Sequence, residues 1–540
     1  MWQKRSGSKA SLPETGKAPG GVFLTEGGHS RRAPVFFARG ETAAEAADKL
    51  WEAHGNPEAP SYKIDIAGAP EAAAGVSWQH ARRVRLALPP RKYGLLFGEE
   101  DSPLAFLPEE VAAWGMVTED GKLQPERVLE AASRRGNEAY EKAVELFLTE
   151  EWLDVYRFET VSYYVDDTGI QRVERGQEIG RVAEKAELMR AMTLASEGYF
   201  QHAVSFQGRF LYSYDPHTGY RHPKYNLLRH AGTLFSMLQM HETLPDAGLL
   251  PPIQKARRYL VQQMKQENDT YMAVEKKAVK LGGNGLALIA LVKYAEVTGD
   301  HDDLPIMRGL AKWMHDMAET HGRLKLHKQT LPDKKDTGFT SHYYSGEAIL
   351  SLVRLYQLEA DERWLDTAEK EAAYLIHDRD KNETYDTIAH DHWLLYALNE
   401  LDQLRPNDDY KSHSFFIADA IVQAQRGETD DPEWEGSYEM KGAPRSTPVA
   451  CRSEGLCAAV QTARRAGEAD RSETYRKAAA KGIAFQMKLQ FTPVSVLYYE
   501  PSHLLMGAFQ ASTQDAEIRN DYTQHNVSSF YEYVKLLENE

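Results

Sequence analysis

The stretch HYYSGEAILSLVRLYQLEADERWLDTAEK, residues 342–370, contains two consecutive helical runs. The first run, GEAILSLVRLYQLEAD, is apolar on most sides, which is typical of a helix enclosed by its neighbours. The second run, which continues as DERWLDTAEKEAAYLIHD, has a clear polar face. A short polar and aromatic cluster opens the first run. The stretch therefore predicts a helical hairpin with one inner and one outer helix.

The same arrangement recurs six times in the last two-thirds of the chain. Successive inner runs start 54, 59, 48, 61 and 69 residues apart, and each interval fits one hairpin. A unit of this size cannot bury its apolar face alone, so the repeat indicates a stacked or closed array. Six hairpins in a ring give twelve helices whose polar starts converge at one end. The starts are marked by His230, Asn284, Tyr343, Asp391, Arg452 and Asp521.

The chain is predicted to have three parts. Residues 1–20 are rich in Ser, Lys, Gly and Pro, which indicates a disordered tail. From 21 to 175, β-rich stretches alternate with helical runs at 42–54 and 125–152, which predicts an α+β domain. Residues 176–540 should form the ring. Its helices are predicted over 178–204, 225–243, 253–266, 284–298, 303–320, 343–358, 362–377, 391–403, 411–426, 449–467, 470–488 and 521–538.

Composition excludes several classes of partner. The formal charge is −16, from 64 basic and 80 acidic residues, which argues against nucleic acid or an anionic membrane surface. No apolar run has the length of a secretory signal core or a membrane span, so we expect no membrane insertion and a cytoplasmic protein, the alternative being an extracytoplasmic protein whose signal has been removed. Cys451 and Cys457 lie six residues apart in one predicted helix, which does not favour a disulfide. These features do not indicate an oligomeric state.

Five phrases of the chain carry a resemblance: GRFLYSYDP (208–216) with YNLLRHAGT (225–233), LGGNGLALIALVKYAEVTGD (281–300), the stretch at 342–370, HDHWLLYALNEL (390–401) and RNDYTQHNVSSF (519–530). They resemble the (α/α)6 toroid superfamily. These six-hairpin proteins include glycoside hydrolases, polysaccharide lyases, N-acylglucosamine 2-epimerase-like proteins and the C-terminal domain of glucuronyl C5-epimerases. The resemblance covers about 360 of 540 residues and implies a mainly α fold, a toroid of twelve helices and a carbohydrate partner. It does not extend to residues 1–175, so the smaller α+β domain before the toroid is predicted from the residue pattern alone.

Metal binding is not predicted. The similar toroids of the lanthionine cyclase and prenyltransferase families bind a catalytic zinc through spaced Cys and Cys-His phrases, which this sequence lacks. Two histidines flank Asp391, but this spacing at a helix start does not aim both rings at one ion. We therefore expect no cofactor.

Four carboxylates at the hairpin starts are candidate catalytic groups, because hydrolysis of an acetal needs two carboxyl groups, about 5–10 Å apart, flanking the bond. Each also has a plainer interpretation. Glu347 could be the dipole partner of its helix N-terminus, and Asp391 could be a helix cap. Sequence alone does not choose the pair. The four are Glu347, Asp391, Glu454 and Asp521.

Aromatic, basic and imidazole groups near the same starts are candidate substrate ligands. Aromatic rings offer a platform for a sugar, and the Arg452 fork can bind both oxygens of a substrate carboxylate. The alternatives are histidines in the core and an internal ion pair for Arg452. The candidates are Tyr214, Tyr225, Arg229, His230, His342, Tyr343, Tyr344, His392, Trp393, Arg452, Tyr522 and His525.

Three functions are compatible with these groups. The first is glycoside hydrolysis by paired carboxylates, with an acidic glycan favoured by the arginines. The second is uronyl epimerisation or polysaccharide lysis, in which a Tyr or His moves the proton next to a carboxylate held by Arg452. The third is a glycan-binding or assembly module without turnover. Catalysis predicts an open cleft with two unpaired carboxyl groups, whereas a module predicts a mouth filled by internal ion pairs.

Overall fold

The computed structural model describes residues 21–538 except 77–85, 87–90, 99–103, 119, 149–152, 180, 246–247, 428–431 and 439–441. The predicted tail at 1–20 lies outside the described residues. Among the described helices, none combines the length and apolar character needed to cross a membrane.

The N-terminal part contains both strands and helices, as its mixed sequence pattern predicts. Its described strands pair into a six-stranded antiparallel sheet of order β10-β9-β8-β3-β1-β2 and a four-stranded sheet of order β4-β7-β5-β6. The strands are β1 Val22–Glu26, β2 Val35–Ala38, β3 Tyr62–Ala67, β4 Glu71–Val76, β5 Gly94–Phe97, β6 Ala105–Phe106, β7 Leu153–Phe158, β8 Thr160–Val165, β9 Ile170–Glu174 and β10 Gln177–Glu178. The helices are α1 Ala43–His54, α2 Pro108–Ala113, α3 Pro125–Arg135 and α4 Asn137–Leu148. A domain boundary at 175 stays a prediction.

The predicted helical run at 125–152 is divided in the structure. Gly136, between α3 and α4, has φ +122°, which lies outside the helical region and which L side chains rarely adopt. Asn137 then starts the second helix. The sequence pattern missed this break because the apolar spacing continues across it.

The described residues after 181 form twelve long helices in two layers. The inner helices are α6 Leu227–Thr243, α8 Leu281–Thr298, α10 Tyr344–Glu359, α12 His392–Leu404, α14 Ser446–Ala466 and α16 Asn520–Glu538. The outer helices are α5 Lys185–Ala195, α7 Leu250–Gln262, α9 Leu304–Asp316, α11 Glu362–Tyr374, α13 Asp408–Gln423 and α15 Ala469–Met487. Each inner helix packs against the next, and α16 returns to α6. This closed ring confirms the predicted (α/α)6 toroid.

One predicted helix starts later than expected. The run at 178–204 begins at Lys185, because Gln177 and Glu178 extend the N-terminal sheet by pairing with β9. The helix then continues through a π-helical turn at Ser196–Phe200 to Ala203. Sheet pairing therefore overrides helix periodicity here.

Short strands lead into the N-terminal ends of inner helices. The strand Ala278–Lys280 pairs with the strands Thr270–Glu275 and Lys328–Thr330 and is followed directly by α8. The strand Ile518–Arg519 pairs with the strand Ser213–Asp215 and is followed directly by α16. The pairing fixes where these two helices begin, and so fixes the position of their first side chains.

Glu371 joins an outer helix to the start of an inner one. The backbone N–H of Leu324 donates to Glu371 Oε2 at 2.7 Å, and Ser345 also hydrogen-bonds this buried carboxyl group. Burial raises the pKa of Glu371 to about 7. The folded chain therefore holds a proton here that the unfolded chain releases above its ordinary pKa.

We expect Glu371 to make folding stability fall as pH rises from about 4.5 to about 7, since the folded state binds the extra proton in that window. The Glu371→Gln variant should lose this slope, which amounts to about 2–3 kcal/mol. Urea unfolding of both proteins at pH 5 and pH 8 measures the difference. Glu383→Gln, on an exposed loop, is the control, and equal slopes in all three proteins would contradict the expectation.

Candidate active site

The polar starts of the six inner helices meet around a cleft of about 770 Å³, to which every inner helix contributes a described residue. Nine of the residues predicted from the sequence line it, and seven do not. Those that line it are Arg229, Tyr343, Tyr344, Glu347, His392, Trp393, Arg452, Asp521 and His525. Those that do not are Tyr214, Tyr225, His230, His342, Asp391, Glu454 and Tyr522.

A second, larger cavity of about 930 Å³ lies between the N-terminal part and the loop at 513–516. Two carboxylates line it, and both accept local hydrogen bonds, Asp120 from Thr118 and Asp515 from the backbone of Glu517. The smaller cleft is the better candidate because charged and imidazole groups of separate hairpins converge there.

Glu347 lies on the first turn of α10 and is 4% exposed. Its Oε2 atom has no hydrogen-bond partner among the described residues. Burial, and then the nearby charge of Asp391, raise the pKa of Glu347 well above its ordinary value. This carboxyl group, which lines the cleft, therefore holds its proton more firmly than an ordinary glutamate does.

Asp391 lies behind Glu347 and does not line the cleft. It is the N-cap of α12, and the backbone N–H of Leu394 donates to its Oδ1 at 3.2 Å. Its Oδ2 has no partner among the described residues, and burial raises its pKa to about 7. Asp391 therefore has the role of a helix cap, which was the alternative interpretation of its sequence position.

Asp521 is held in the cleft wall by two arginines. The Arg229 Nε lies 3.0 Å from its Oδ2, and Arg519 donates to both of its oxygens. Burial alone would raise the pKa of Asp521, but the Arg519 and Arg229 guanidinium groups lower it. This carboxylate is therefore ionised at neutral pH, whereas burial favours the protonated form of Glu347.

Glu454 lies beneath the cleft surface in contact with His525. The His525 Nδ1 donates to Glu454 Oε1 at 2.8 Å, and the Tyr396 hydroxyl donates to Oε2 at 3.3 Å. Burial alone would lower the pKa of His525. The adjacent Cys451 and Glu454 outweigh burial, so the pKa of His525 lies well above its ordinary value. Glu454 is thus already partnered.

Arg452 lines the cleft without a carboxylate within ion-pair distance among the described residues. Its Nε donates to Nδ1 of His390 at 2.7 Å, and its Nη1 donates to the Pro448 carbonyl at 2.9 Å. Burial, and then the Arg452 charge, lower the pKa of His390 to about 4, which keeps this imidazole neutral. The internal ion pair considered for Arg452 is not formed within the described part of the chain.

Several predicted ligands instead belong to the core. His230 is buried, with its Nδ1 bonded to the Tyr225 hydroxyl at 2.7 Å and its Nε2 bonded to the Ala256 carbonyl at 2.9 Å. Tyr214 donates to the Glu500 carbonyl at 3.0 Å, and Tyr522 is buried beside the Arg519 guanidinium. These residues are therefore part of the packed core rather than substrate ligands. Polar groups can be buried at little cost in free energy when they have hydrogen-bond partners.

His342 also lies away from the cleft. Its side chain is exposed, and its carbonyl accepts a hydrogen bond from Arg379 Nη1. The following Tyr343 is 46% exposed and does reach the cleft. His342 and Tyr343 are therefore adjacent in the chain, but only Tyr343 lines the cleft.

Several polar groups that line the cleft were not among the predicted site residues, and two of them, Arg519 and Cys451, stand close to predicted carboxylates in the sequence. Arg519 stands two residues before Asp521 at a helix start, where a basic group can reach the carboxylate. Cys451 stands three residues before Glu454 and so shares its helix face. The short sequence distance of each residue from a predicted carboxylate could therefore have indicated that it belongs to the site.

The comparisons with known proteins agree with this architecture. No family model matches the chain, and no curated protein matches it. Among solved structures, a D-mannose isomerase matches with a TM-score of 0.51 and 15% identity over 66% of this chain and 98% of that one. The cellobiose 2-epimerase of Bacillus thermoamylovorans B4167 matches with a TM-score of 0.52 and 12% identity over 65% of this chain and 99% of that one. The chain has the fold of the six-hairpin (α/α)6 proteins.

The glycines that open α8 allow α10 to come close enough for Glu347 to reach the cleft. A Cβ on Gly282 would lie 2.0 Å from Glu347 Oε2 and 2.4 Å from the Tyr344 ring, whereas a Cβ on Gly283 would have no contact closer than 3.5 Å, to Leu228. These neighbouring glycines therefore form a matched pair.

We expect Gly282→Ala to destabilise the fold by about 1–3 kcal/mol through overpacking at the Glu347 side chain. Gly283→Ala should stabilise it by about 0.5–1 kcal/mol, since alanine favours a helix and the space is open. Urea unfolding of the three proteins measures both effects. Equal stabilities of the two variants would show that α8 and α10 are not so closely packed.

Proposed function

We propose that the chain is a carbohydrate-active enzyme, a glycoside hydrolase whose cleft binds a glycan that carries a carboxylate. In this proposal Glu347 is the general acid, Asp521 is the ionised carboxylate that faces the developing positive charge of the sugar ring, and Arg452 binds the substrate carboxylate.

The observation that supports hydrolysis best is the contrast between the two carboxyl groups that line one cleft. Among the described residues, Glu347 Oε2 has no hydrogen-bond partner and Glu347 forms no ion pair, whereas Asp521 is held by Arg229 and Arg519. Glycoside hydrolysis needs one protonated and one ionised carboxyl group on either side of the bond. Environments that separate two carboxyl groups in this way assign the acid and the base.

The two groups would act in sequence on the scissile bond. Glu347 gives its proton to the leaving oxygen, and the C–O bond breaks as positive charge develops on the sugar ring. Asp521 stabilises that charge, and its own position is fixed by the two arginines. A water molecule then adds to the positively charged sugar carbon, which completes the hydrolysis, and the proton that this water loses returns to Glu347.

The acidic substrate is inferred from Arg452. A guanidinium group that lines a cleft and has no carboxylate partner among the described residues is suited to bind a carboxylate through two parallel hydrogen bonds. The volume of about 770 Å³ is in the range of small-molecule and sugar sites. The shared fold with a mannose isomerase and a cellobiose epimerase brings carbohydrate into the proposal.

A second candidate function is uronyl epimerisation or lysis. The observation that favours it is the half-exposed Tyr343, which lines the same cleft as Arg452 and interacts with it electrostatically. A phenol beside a bound carboxylate could move the proton on the adjacent carbon. Hydrolysis is preferred because Glu347 and Asp521 supply the acid and the ionised group that it needs.

A panel of neutral and uronate-containing glycans, incubated with the full chain, tests the proposal. Release of reducing ends without absorbance of unsaturated uronates supports hydrolysis, and absorbance indicates lysis. Incorporation of deuterium from heavy water into intact glycan indicates epimerisation. Binding without turnover on every glycan would overturn the enzyme proposal and favour a glycan-binding module without catalysis. Such a module was expected to have a cleft filled by ion pairs, and only the Asp521 cluster has this character.

A further inference from the structure

Four potential metal ligands converge at the floor of the cleft. They are His392 of α12, Cys451 and Glu454 of α14, and His525 of α16, and one ligand atom from each lies within 4.8 Å of the others. His392, Glu454 and His525 are buried, and Cys451 is half-buried. The cluster therefore links three neighbouring helices of the inner ring.

His392 has an unusual environment for a buried imidazole. It is 3% exposed, and neither ring nitrogen has a hydrogen-bond partner among the described residues. Its ring packs against Trp393 and His525, with ring centroids 4.8 Å and 5.4 Å away. A buried polar side chain without a partner is destabilising, so one aimed into a set of ligand atoms points to a bound group.

We propose that His392, Cys451, Glu454 and His525 bind one divalent transition-metal ion, for which zinc is the best fit. This inference goes beyond the proposed function and does not rest on it. Nitrogen, sulfur and carboxylate donors in a set of four are typical of tetrahedral zinc sites. A thiolate and a carboxylate also balance the double positive charge, which a buried site requires.

The spacing of the ligand atoms fits such a site after small side-chain rotations. Cys451 Sγ lies 3.5 Å from His525 Nδ1, and Glu454 Oε1 lies 2.8 Å from the same nitrogen. Ligands bonded to zinc at about 2.0–2.3 Å in a tetrahedron are roughly 3.3–3.8 Å apart. Binding requires the Cys451 thiol and the His525 ring nitrogen to give their protons to solvent.

The surroundings provide an entry path and a supporting contact. His392, Cys451 and His525 line the cleft, so an ion can reach them from solvent. The Tyr396 hydroxyl bonds the second oxygen of Glu454 at 3.3 Å and fixes its orientation, as outer partners of metal ligands do. An ion held here would cross-link α12, α14 and α16.

Titration of the chelator-treated full chain with cobalt(II) tests the site, because a thiolate ligand gives an intense charge-transfer absorption. We expect one ion per chain, with this absorption present, and displacement of cobalt by zinc. Cys451→Ser should remove the absorption and weaken zinc binding by about a hundredfold or more. Cys457→Ser is the matched control, since Cys457 lies six residues further along the same helix, outside the cluster.

Thermal unfolding gives an independent measurement. Zinc should raise the Tm of the wild type and of Cys457→Ser but not of Cys451→Ser. No absorption on cobalt addition to the wild type would overturn the proposal even if a variant failed to fold. An unchanged absorption in Cys451→Ser would overturn it as well. Neither outcome depends on whether any glycan is cleaved.

Discussion

Replacement of Glu347 by glutamine is expected to lower kcat on the cleaved glycan by about 10²- to 10⁴-fold. Glutamine keeps the volume of the side chain but cannot donate a carboxylic acid proton to the leaving oxygen. The buried position of Glu347, which raises its pKa, also predicts that wild-type activity falls as pH rises through that pKa. Reducing-end release across a pH series measures both effects.

The nature of the leaving group distinguishes acid catalysis from a structural effect. An aryl glycoside with a weakly basic phenol leaves without protonation, so Glu347→Gln should retain most of its activity on that substrate. Glu383→Gln, which makes the same change on an exposed loop, should match the wild type on both substrates. An equal loss on the glycan and the aryl glycoside would exclude Glu347 as the acid.

Replacement of Arg452 by methionine is expected to lower kcat/KM for a carboxylate-bearing glycan by about a hundredfold. Removal of one partner from a desolvated charge pair costs about 2–5 kcal/mol, and most of this loss should appear in KM. Arg452→Lys should recover part of it, because lysine keeps the charge but not the two-pronged geometry.

The carboxyl-reduced form of the same glycan is the decisive control. The wild type and Arg452→Met should process it equally, since the group that Arg452 binds is then absent. Arg258→Met, at an exposed position of α7, should behave as the wild type on both glycans. A variant that loses equal activity on the acidic and the reduced glycan would show that Arg452 supports the cleft rather than the substrate carboxylate.

The repeat of inner and outer helices could be predicted from the sequence because its evidence is spread over many residues. Enclosed helices such as α8 are apolar all round, whereas α11 has one polar face, and this difference survives errors at single positions. The ends of the helices were harder to predict from the sequence. The start at Lys185 depends on a strand pair between β9 and β10 that helix periodicity does not report.

The candidate site was predictable only as a set of helix starts. Whether a carboxylate reaches the cleft depends on less than one turn of helix. Asp391 is the N-cap and turns back onto the backbone of its own helix, whereas Glu347 stands four residues after its N-cap and faces the cleft. Glu454 contacts His525 of another hairpin, a pairing that spans 71 residues of chain. Such contacts depend on the closed ring.

The position of the cleft at the first turns of the inner helices has an evolutionary consequence. Deeper positions, such as Leu288 on α8 and Leu352 on α10, are completely buried between helices, so their size and shape are constrained by packing. On the first turns, the side chains that line the cleft have one side that faces open space rather than another helix. Selection can therefore exchange the reactive groups of one hairpin at a time while the interior stays the same, and a single scaffold can acquire different chemistries.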